Sequence, residues 1–405
     1  MIELLAEGFQ LHSGAPWWLV QNGLDEREPI SRATCDVAVV GAGITGALVA
    51  DALTAAGLDV MLIDRRAPGG GSTAVSTALL QYELDVSLVD LTRRIGRTDA
   101  ERAYRLFDAA IDRIATIVAD LPDDCGFERR PSLYLASRRR DTRRLNAECS
   151  ARVAAGLDCT VWDAATVRQR YELSCHGALR STRGAVLDPV RLMRALLALC
   201  IERGAAILPR TTVERVEARS GKLLVRTDRG VVRAGQVVLA LGYEIPPKLH
   251  DDLITLQSTY ALVTEPLDDI GPLGDGCLVW ESARPYTYLR TTADGRVIIG
   301  GEDTPFKSAI VRDQLLPTRV RRLERRLKDM LGGRPARTEF AWAGTFAETT
   351  DGLPIVGAVA GLPGVWTALG YGGNGITAGV IAADMLGALC QGRPHAEARL
   401  FRPDR

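Results

Sequence analysis

The chain has 405 residues, 46% hydrophobic and 25% charged, enough to bury a large core in two lobes or domains. Fifty basic and fifty acidic residues leave no formal net charge, so nothing in bulk electrostatics favours nucleic acid or an anionic membrane as the main partner. Eight scattered cysteines without a C-x-x-C pair predict free thiols in a reducing, cytoplasmic setting, and four histidines (His12, His176, His250, His395) without ligand spacing predict no metal site.

Residues 1–34 read as an N-terminal arm in which Pro16-Trp17-Trp18-Leu19 packs on the body. The arm carries Glu3, Glu7 and His12 and no basic n-region, so it does not read as a secretory signal. Cys35–Val40 is an apolar run of strand length, followed at once by Gly41-Ala42-Gly43-Ile44-Thr45-Gly46. A helical pattern follows, with Ile44, Leu48, Ala52, Leu53 and Ala56 at three- and four-residue spacing, stopped by Gly57. A second strand, Asp59 to Ile63, ends on Asp64. Strand, glycine turn, helix, strand and acidic end form a dinucleotide-binding unit. Gly41 permits the turn, Gly43 lets backbone approach a diphosphate, and Gly46 lets helix and strand pack closely. The diphosphate sits at the positive end of the helix, and Asp64 holds a ribose hydroxyl. Asp64 opposes a 2′-phosphate, which leaves Arg65 and Arg66 as solvated or adenosine neighbours. This same apolar region contains Asp51 and Asp59, so it predicts no integral membrane segment.

Gly69-Gly70-Gly71-Ser72-Thr73 then allows very close backbone approach to something bulky, ahead of a small-residue stretch from Ala74 to Leu80. Helices are predicted over Leu88–Ile95, Glu101–Leu121 and Thr142–Val153, with a strand at Leu133–Ala136. Asp188-Pro189 opens a helix from Val190 to Glu202, closed by Gly204. Five short strands follow: Ala206–Leu208, Val213–Glu217, Leu223–Thr227, Val231–Ala234 and Val237–Leu241. Beyond Pro246-Pro247 a second strand-rich region covers Tyr260–Val263, Leu278–Glu281, Tyr286–Arg290 and Val297–Ile299. A helix from about Ile310 to Leu331 has Leu316, Val320, Leu323 and Leu327 on one face, its arginines solvated. Strand Val365–Leu369, a glycine-rich turn and helix Ile376–Leu389 close the chain.

Two late segments point to flavin chemistry. Val237–Leu241 is a buried strand running into Gly242 after a meander. Gly370-Tyr371-Gly372-Gly373-Asn374-Gly375-Ile376 opens the last helix, where N–H groups and the helix dipole would stabilise negative charge on a reduced flavin. Taken alone, that segment serves equally as an ordinary turn before a helix.

With these pieces in order, the chain resembles the D-amino-acid oxidase, glycine oxidase and sarcosine oxidase family of FAD-dependent oxidoreductases, from about Cys35 to Leu389. The matching segments are Gly41–Gly46 with Asp64, Gly71-Ser72-Thr73 with Ala78-Leu79-Leu80, Gly184–Pro189, Thr212-Val213, Ala240-Leu241-Gly242, and Asp351–Gly357 ahead of Gly370–Ile376. The resemblance implies an α/β fold: a Rossmann-like FAD-binding domain of glutathione-reductase type with a second, antiparallel-sheet-rich substrate domain. Residues 35–95, 176–243 and 340–405 would form the first, and 96–175 and 244–339 the second. It implies non-covalent FAD, since no histidine or cysteine lies in the glycine-rich segments. Gly41–Gly46 would take the diphosphate, Asp64 the adenosine ribose with Arg65 beside it, and Val213 the adenine region. Ser72, Thr73, Ala78 and Leu79 would follow the ribityl chain and flavin, Ala240 and Gly242 would close the pocket, and Gly372, Gly373, Asn374, Gly375 and Ile376 would face the pyrimidine edge.

The implied activity is oxidation of the C–N bond of a small amine or amino acid by hydride transfer to the flavin, with oxygen or an electron-transfer acceptor taking the electrons. Tyr288 stands where relatives place a substrate-contacting tyrosine, and Tyr371 sits in the turn beside the flavin; each serves equally well as a core aromatic. The chain departs from glycine oxidases in one strand, Trp342–Glu348, which lacks their carboxylate-binding arginine. Either Arg290 replaces it, or the substrate has no carboxylate there; Glu348 suits a cationic substrate or an exposed surface. Lys307 is the loop candidate for the oxygen-activating lysine of some relatives. A flavin dehydrogenase of 2-hydroxy acids or glycerol phosphate on the same fold is a second reading, weakened by the scarcity of histidine as a base. A flavin-holding subunit without its own catalysis is a third.

Overall fold

The computed structural model describes residues 1–4, 10–29, 33–219, 221–245 and 253–405; Glu7, Pro246-Pro247 and His250 lie outside them. Two sheets organise the chain. The first joins nine strands, and its centre is parallel: Gly230–Leu239, Thr34–Val40, Val60–Ile63 and Ala206–Leu208 run side by side. Strands buried on both faces carry near-continuous apolar runs, and Val37–Val39 and Val60–Ile63 are wholly buried. The sequence expectation of separate strands at Val231–Ala234 and Val237–Leu241 is corrected here: they are one strand, ending at Leu239. Its two halves exchange partners on one edge. Residues up to Ala234 pair antiparallel with Lys222–Thr227, whereas Val237–Leu239 pair parallel with Val365–Leu369. Gly235 stands at the changeover, where a Cβ would come 2.9 Å from the carbonyl oxygen of Asp36.

The second sheet has ten strands, mostly antiparallel, built on His12–Gly14, Thr338–Thr349, Ile254–Thr264, Val297–Pro305, Thr287–Thr291, Leu278–Glu281, Glu128–Leu135 and Ala178–Val186. Side chains alternate across a strand, and this decides what the cofactor meets. Tyr260, Leu262, Leu289, Val297, Ile299 and Ala343 point to one face and pack with Leu323, Leu327 and Met330 of helix Ala309–Met330. The opposite face carries Ala261, Val263, Ile298 and Trp342 into the core of the first lobe.

Two strands and one helix pack elsewhere than the sequence expectation places them. Ala178–Val186 and Thr338–Thr349, expected with the cofactor lobe, hydrogen-bond into the second sheet. Helix Arg97–Ala119, expected with the substrate lobe, buries Tyr104, Phe107, Ile111 and Ile114 in the core shared with helices Ile44–Ala55 and Gly375–Leu389. The N-terminal arm joins both sheets: Ile2–Glu3 pairs with Val213–Arg219, and His12–Gly14 with Thr338–Thr349. Trp17 and Trp18 are buried as expected, and the Trp18 indole N–H donates to the carbonyl of Ser76 at 2.6 Å.

Candidate active site

Strand Thr34–Val40 feeds the glycine turn directly. Gly41 has φ +110°, and a Cβ there would overlap the Ala240 carbonyl oxygen, so both conformation and space require glycine. A Cβ on Gly46 would overlap the Gly41 carbonyl oxygen, which is how the helix comes so close to the strand. Helix Ile44–Ala55 starts at Gly43, which brings no capping side chain. Opposite stands helix Gly375–Leu389, where a Cβ on Gly379 would press on Leu48 and Thr45 at 3.2 and 3.3 Å.

A single elongated pocket runs from this turn to the far glycine segment. Of the residues expected to hold the cofactor, it is lined by Gly41, Gly43, Ile44, Thr45, Asp64, Arg65, Gly71, Ser72, Thr73, Ala78, Leu79, Val213, Ala240, Gly242, Gly372, Gly373, Asn374, Gly375 and Ile376. Ala42 and Gly46 stand behind the lining. Ala42 donates its N–H to Asp64 Oδ2 at 2.7 Å, and Gly46 provides the helix–strand approach.

Asp64 braces the turn as well as facing the pocket: its other oxygen accepts the Arg66 N–H at 2.8 Å. Each carboxylate oxygen keeps a second lone pair for a hydroxyl. Burial pushes this carboxyl above the usual range, opposed by the two backbone donors. Arg65 and Arg66 are half-buried, and neither is free. Both pair with Glu244, Arg66 as a fork at 2.8 and 2.7 Å, at the Asp64 end of the pocket. Burial, with Arg66 beside it, lowers Arg65 to about 10.

The middle of the pocket provides the test of fit for a dinucleotide. Thr73 Oγ1 accepts the Ile44 N–H at 2.9 Å, while Ser72 Oγ is buried without a partner. Buried hydroxyls are rarely left so. A phosphate or ribityl oxygen at the glycine cradle satisfies it, so the residues present fit FAD.

At the ring end, the expectation of free donors is corrected in part. The Gly373 N–H is taken by Asp85 Oδ2 at 2.9 Å, and the Asn374 amide turns away to donate to the Glu83 carbonyl at 2.7 Å. Tyr371 lines the pocket, yet its hydroxyl donates to the Ala368 carbonyl and its ring packs edge-on to Tyr243. Tyr288 lies across Gly300, where a Cβ would come 2.5 Å from its hydroxyl oxygen. Burial, with Asp303 next, pushes the Tyr288 hydroxyl up to about 12, so it stays protonated at neutral pH.

Arg290 is the clear departure. Tyr286, Tyr288 and Arg290 share one strand face, but Arg290 does not line the pocket. Its guanidinium donates to the carbonyls of Ala78 and Leu187 at 3.0 and 3.1 Å and stacks on Trp18 at 5.6 Å. Burial lowers it to about 9. It supports the backbone under the pocket and is no carboxylate clamp. Lys307 is exposed, and no lysine among the described residues lines the pocket.

Sequence reasoning missed Asp85, Thr259, Trp280, Tyr286, Glu244 and Phe346, all of which line the pocket. Tyr286 was within reach of a two-residue step from Tyr288; the others come from separate segments that share no local signal. Among the described residues no group of three His, Cys, Asp or Glu side chains is placed to hold a metal ion, and no helix is long and apolar enough to cross a membrane. His12, distant in sequence, reaches the glycine segment with Nε2 3.1 Å from the Gly70 carbonyl oxygen. That ring nitrogen is engaged, so acid precipitation is expected to release all yellow colour into the supernatant; colour kept in the pellet would show a covalent link.

Comparison with known proteins agrees with this geometry. The sequence profile of the family described as FAD dependent oxidoreductase (DAO) matches residues 36–389. The protein named "Probable oxidoreductase OrdL" of Haemophilus influenzae is 22% identical over 87% of this chain and 82% of its own. The gamma-glutamylputrescine oxidoreductase of Escherichia coli is 24% identical over 89% of this chain and 84% of its own. Glycine oxidase from Geobacillus kaustophilus superposes with a TM-score of 0.76 at 18% identity, covering 92% of this chain and 99% of that one, which shows the shared fold. The profile spans most of the sequence and the nucleotide cleft is complete: the chain belongs to the DAO family of FAD-dependent oxidoreductases.

Proposed function

We propose that the protein oxidises the C–N bond of a small amine or amino acid, giving an imine that water hydrolyses. FAD, when bound, supplies the acceptor for the hydride leaving the carbon that bears nitrogen. The observation that carries this reading is the ring end of the pocket, walled by Tyr286, Tyr288, Trp280 and Phe346. Such a step needs placement of the carbon and an uncharged reacting nitrogen more than a dedicated base. Aromatic walls position the substrate and exclude water, and Tyr288, protonated at neutral pH, offers a hydroxyl for orientation. Oxidation of an alcohol would require a base for its proton, and no histidine among the described residues lines the pocket. The names of the gamma-glutamylputrescine oxidoreductase and glycine oxidase support nitrogen-bearing substrates. Eight free thiols are consistent with a reducing cytoplasm.

The test is anaerobic: the FAD-loaded protein is mixed with amines, amino acids and 2-hydroxy acids while flavin absorbance is followed. Bleaching by nitrogen compounds is expected. Bleaching by hydroxy acids alone would replace this reading with the alcohol dehydrogenase, and bleaching by none would leave a flavin-holding subunit. Admitting oxygen, or an artificial acceptor, to the bleached protein then separates an oxidase from a dehydrogenase.

A further inference from the structure

We propose that the ring end of the pocket is a cation site, and that the amine oxidised carries a second positively charged nitrogen where relatives' substrates carry a carboxylate, with Asp303 as its counter-ion. This rests on the amine-oxidation reading above. Three carboxylates from separate elements lie near one another there, Asp85 in the pocket wall and Asp303 and Glu348 behind it. Asp85 comes from the loop after Leu79–Leu80, Asp303 from Val297–Pro305 and Glu348 from Thr338–Thr349.

Strand alternation alone would send Asp303 to the helix side, since Val297 and Ile299 point that way. A bulge reverses it. Pairing slips between Ser258 and Tyr260, and Glu302 adopts φ +58°, a left-handed conformation uncommon for a residue with a side chain. Glu302 thereby turns to the helix side and pairs with Arg319 and Arg322 at 2.7 and 3.0 Å, leaving Asp303 on the cofactor side.

Asp303 Oδ1 is buried there without a hydrogen-bond partner. Burial pushes its carboxyl up to about 7, with Asp85 and Glu348 adding to the rise, while the Thr259 hydroxyl and Arg284 oppose it. Thr259, Asp85, Tyr286 and Tyr288 all line the cofactor pocket, and Asp303 stands directly behind them, its charge acting on the Thr259, Tyr286 and Tyr288 hydroxyls. The arginine nearest in charge, Arg284, is exposed and stacks on Tyr286 at 5.1 Å. Arg290 is spent on backbone carbonyls. A carboxylate-bearing substrate would find hydroxyl and indole donors here but no guanidinium clamp, and would face the charge of Asp85 and Asp303. A chain ending in ammonium gains a counter-ion and the aromatic walls, Tyr286 and Tyr288 standing 5.7 Å apart.

Three amines of equal length test this on the FAD-loaded enzyme: 1,5-diaminopentane, hexan-1-amine and 6-aminohexanoate. The diamine is expected to exceed hexan-1-amine in kcat/KM by about tenfold or more, the worth of one charge-assisted contact, with 6-aminohexanoate last. The preference should grow as pH rises through about 7, where Asp303 gains its charge. Asp303→Asn is expected to collapse the diamine-to-monoamine ratio and abolish that pH limb, and Glu348→Gln to reduce the ratio; flavin content and circular dichroism report folding. A higher kcat/KM for 6-aminohexanoate, or a ratio untouched in both variants, overturns the proposal. Pentamethonium, whose quaternary nitrogens cannot be oxidised, separates binding from chemistry. If it perturbs the flavin spectrum of the wild type but not of Asp303→Asn while no amine bleaches, the cation site stands and the amine-oxidation reading fails. If it does neither and no amine bleaches, both fail.

Discussion

Gly43→Ala is expected to yield a folded protein that has lost most of its FAD. A Cβ at Gly43 meets one protein atom, Thr73 Oγ1 at 3.0 Å, and that hydroxyl can yield by a few tenths of an ångström. Gly43 also has an ordinary extended conformation (φ −79°, ψ −172°), which alanine adopts without strain. The added methyl therefore costs the apoprotein little and falls in the pocket at the start of helix Ile44–Ala55, where the diphosphate must approach backbone. Overpacking of about 1–3 kcal/mol corresponds to roughly 5- to 150-fold weaker cofactor binding. Gly41→Ala is the contrast: its positive φ and the overlap with the Ala240 carbonyl damage the fold itself. Flavin-to-protein absorbance after desalting, FAD titration of the apoprotein and circular dichroism read the two effects separately. Wild-type flavin content in Gly43→Ala would remove the diphosphate from this turn.

The second large effect lies behind the ring end of the pocket. Arg152 is buried, hydrogen-bonded to Glu148 at 2.8 Å, 3.6 Å from Glu83, and stacked over Tyr82 and Tyr104 at 5.5 and 5.7 Å. Its two acids hold the path to the flavin site. Glu148 accepts the N–H groups of Leu88 and Val89, and the Glu83 carbonyl accepts the Asn374 amide. Arg152→Met leaves those carboxylates buried without their cation, and breaking a buried pair from one side costs about 3–5 kcal/mol. The denaturant midpoint of the FAD-loaded protein should fall accordingly, whereas Arg93→Met, removing an exposed pair with Asp90, should leave it in place.

The loss has a sign in pH. Burial already raises the Glu83 carboxyl, and Arg152 is the largest influence holding it down. Without Arg152 it rises further, so the folded state binds a proton that the unfolded chain releases. Stability of the variant is then best preserved at acidic pH and declines as pH rises through that higher value. A midpoint unchanged at neutral pH would show that the arginine carries no structural charge.

What the amino-acid sequence determined by itself is the nucleotide unit. Strand, glycine turn, helix and Asp64 are contiguous; the task of Gly46 is settled by Gly41 within the same turn, whereas Ala240 and Thr73, from other segments, complete those of Gly41 and Gly43. The turn at Gly370–Ile376 was legible for the same reason, because a helix start is a local event. Tyr288, by contrast, was reached only through the family resemblance. The tertiary structure alone decided what these pieces do with charge. Arg290 has the residue type and strand face of a clamp, but carbonyls of Ala78 and Leu187, brought from distant segments, claim its donors. Asp85 takes the Gly373 N–H that local reasoning left free. Asp303 leaves the helix side of its strand because one slip of register at Glu302 reverses alternation. Each outcome is a competition for hydrogen-bond partners or space between segments far apart in the chain, and periodicity reports only which face a side chain starts from.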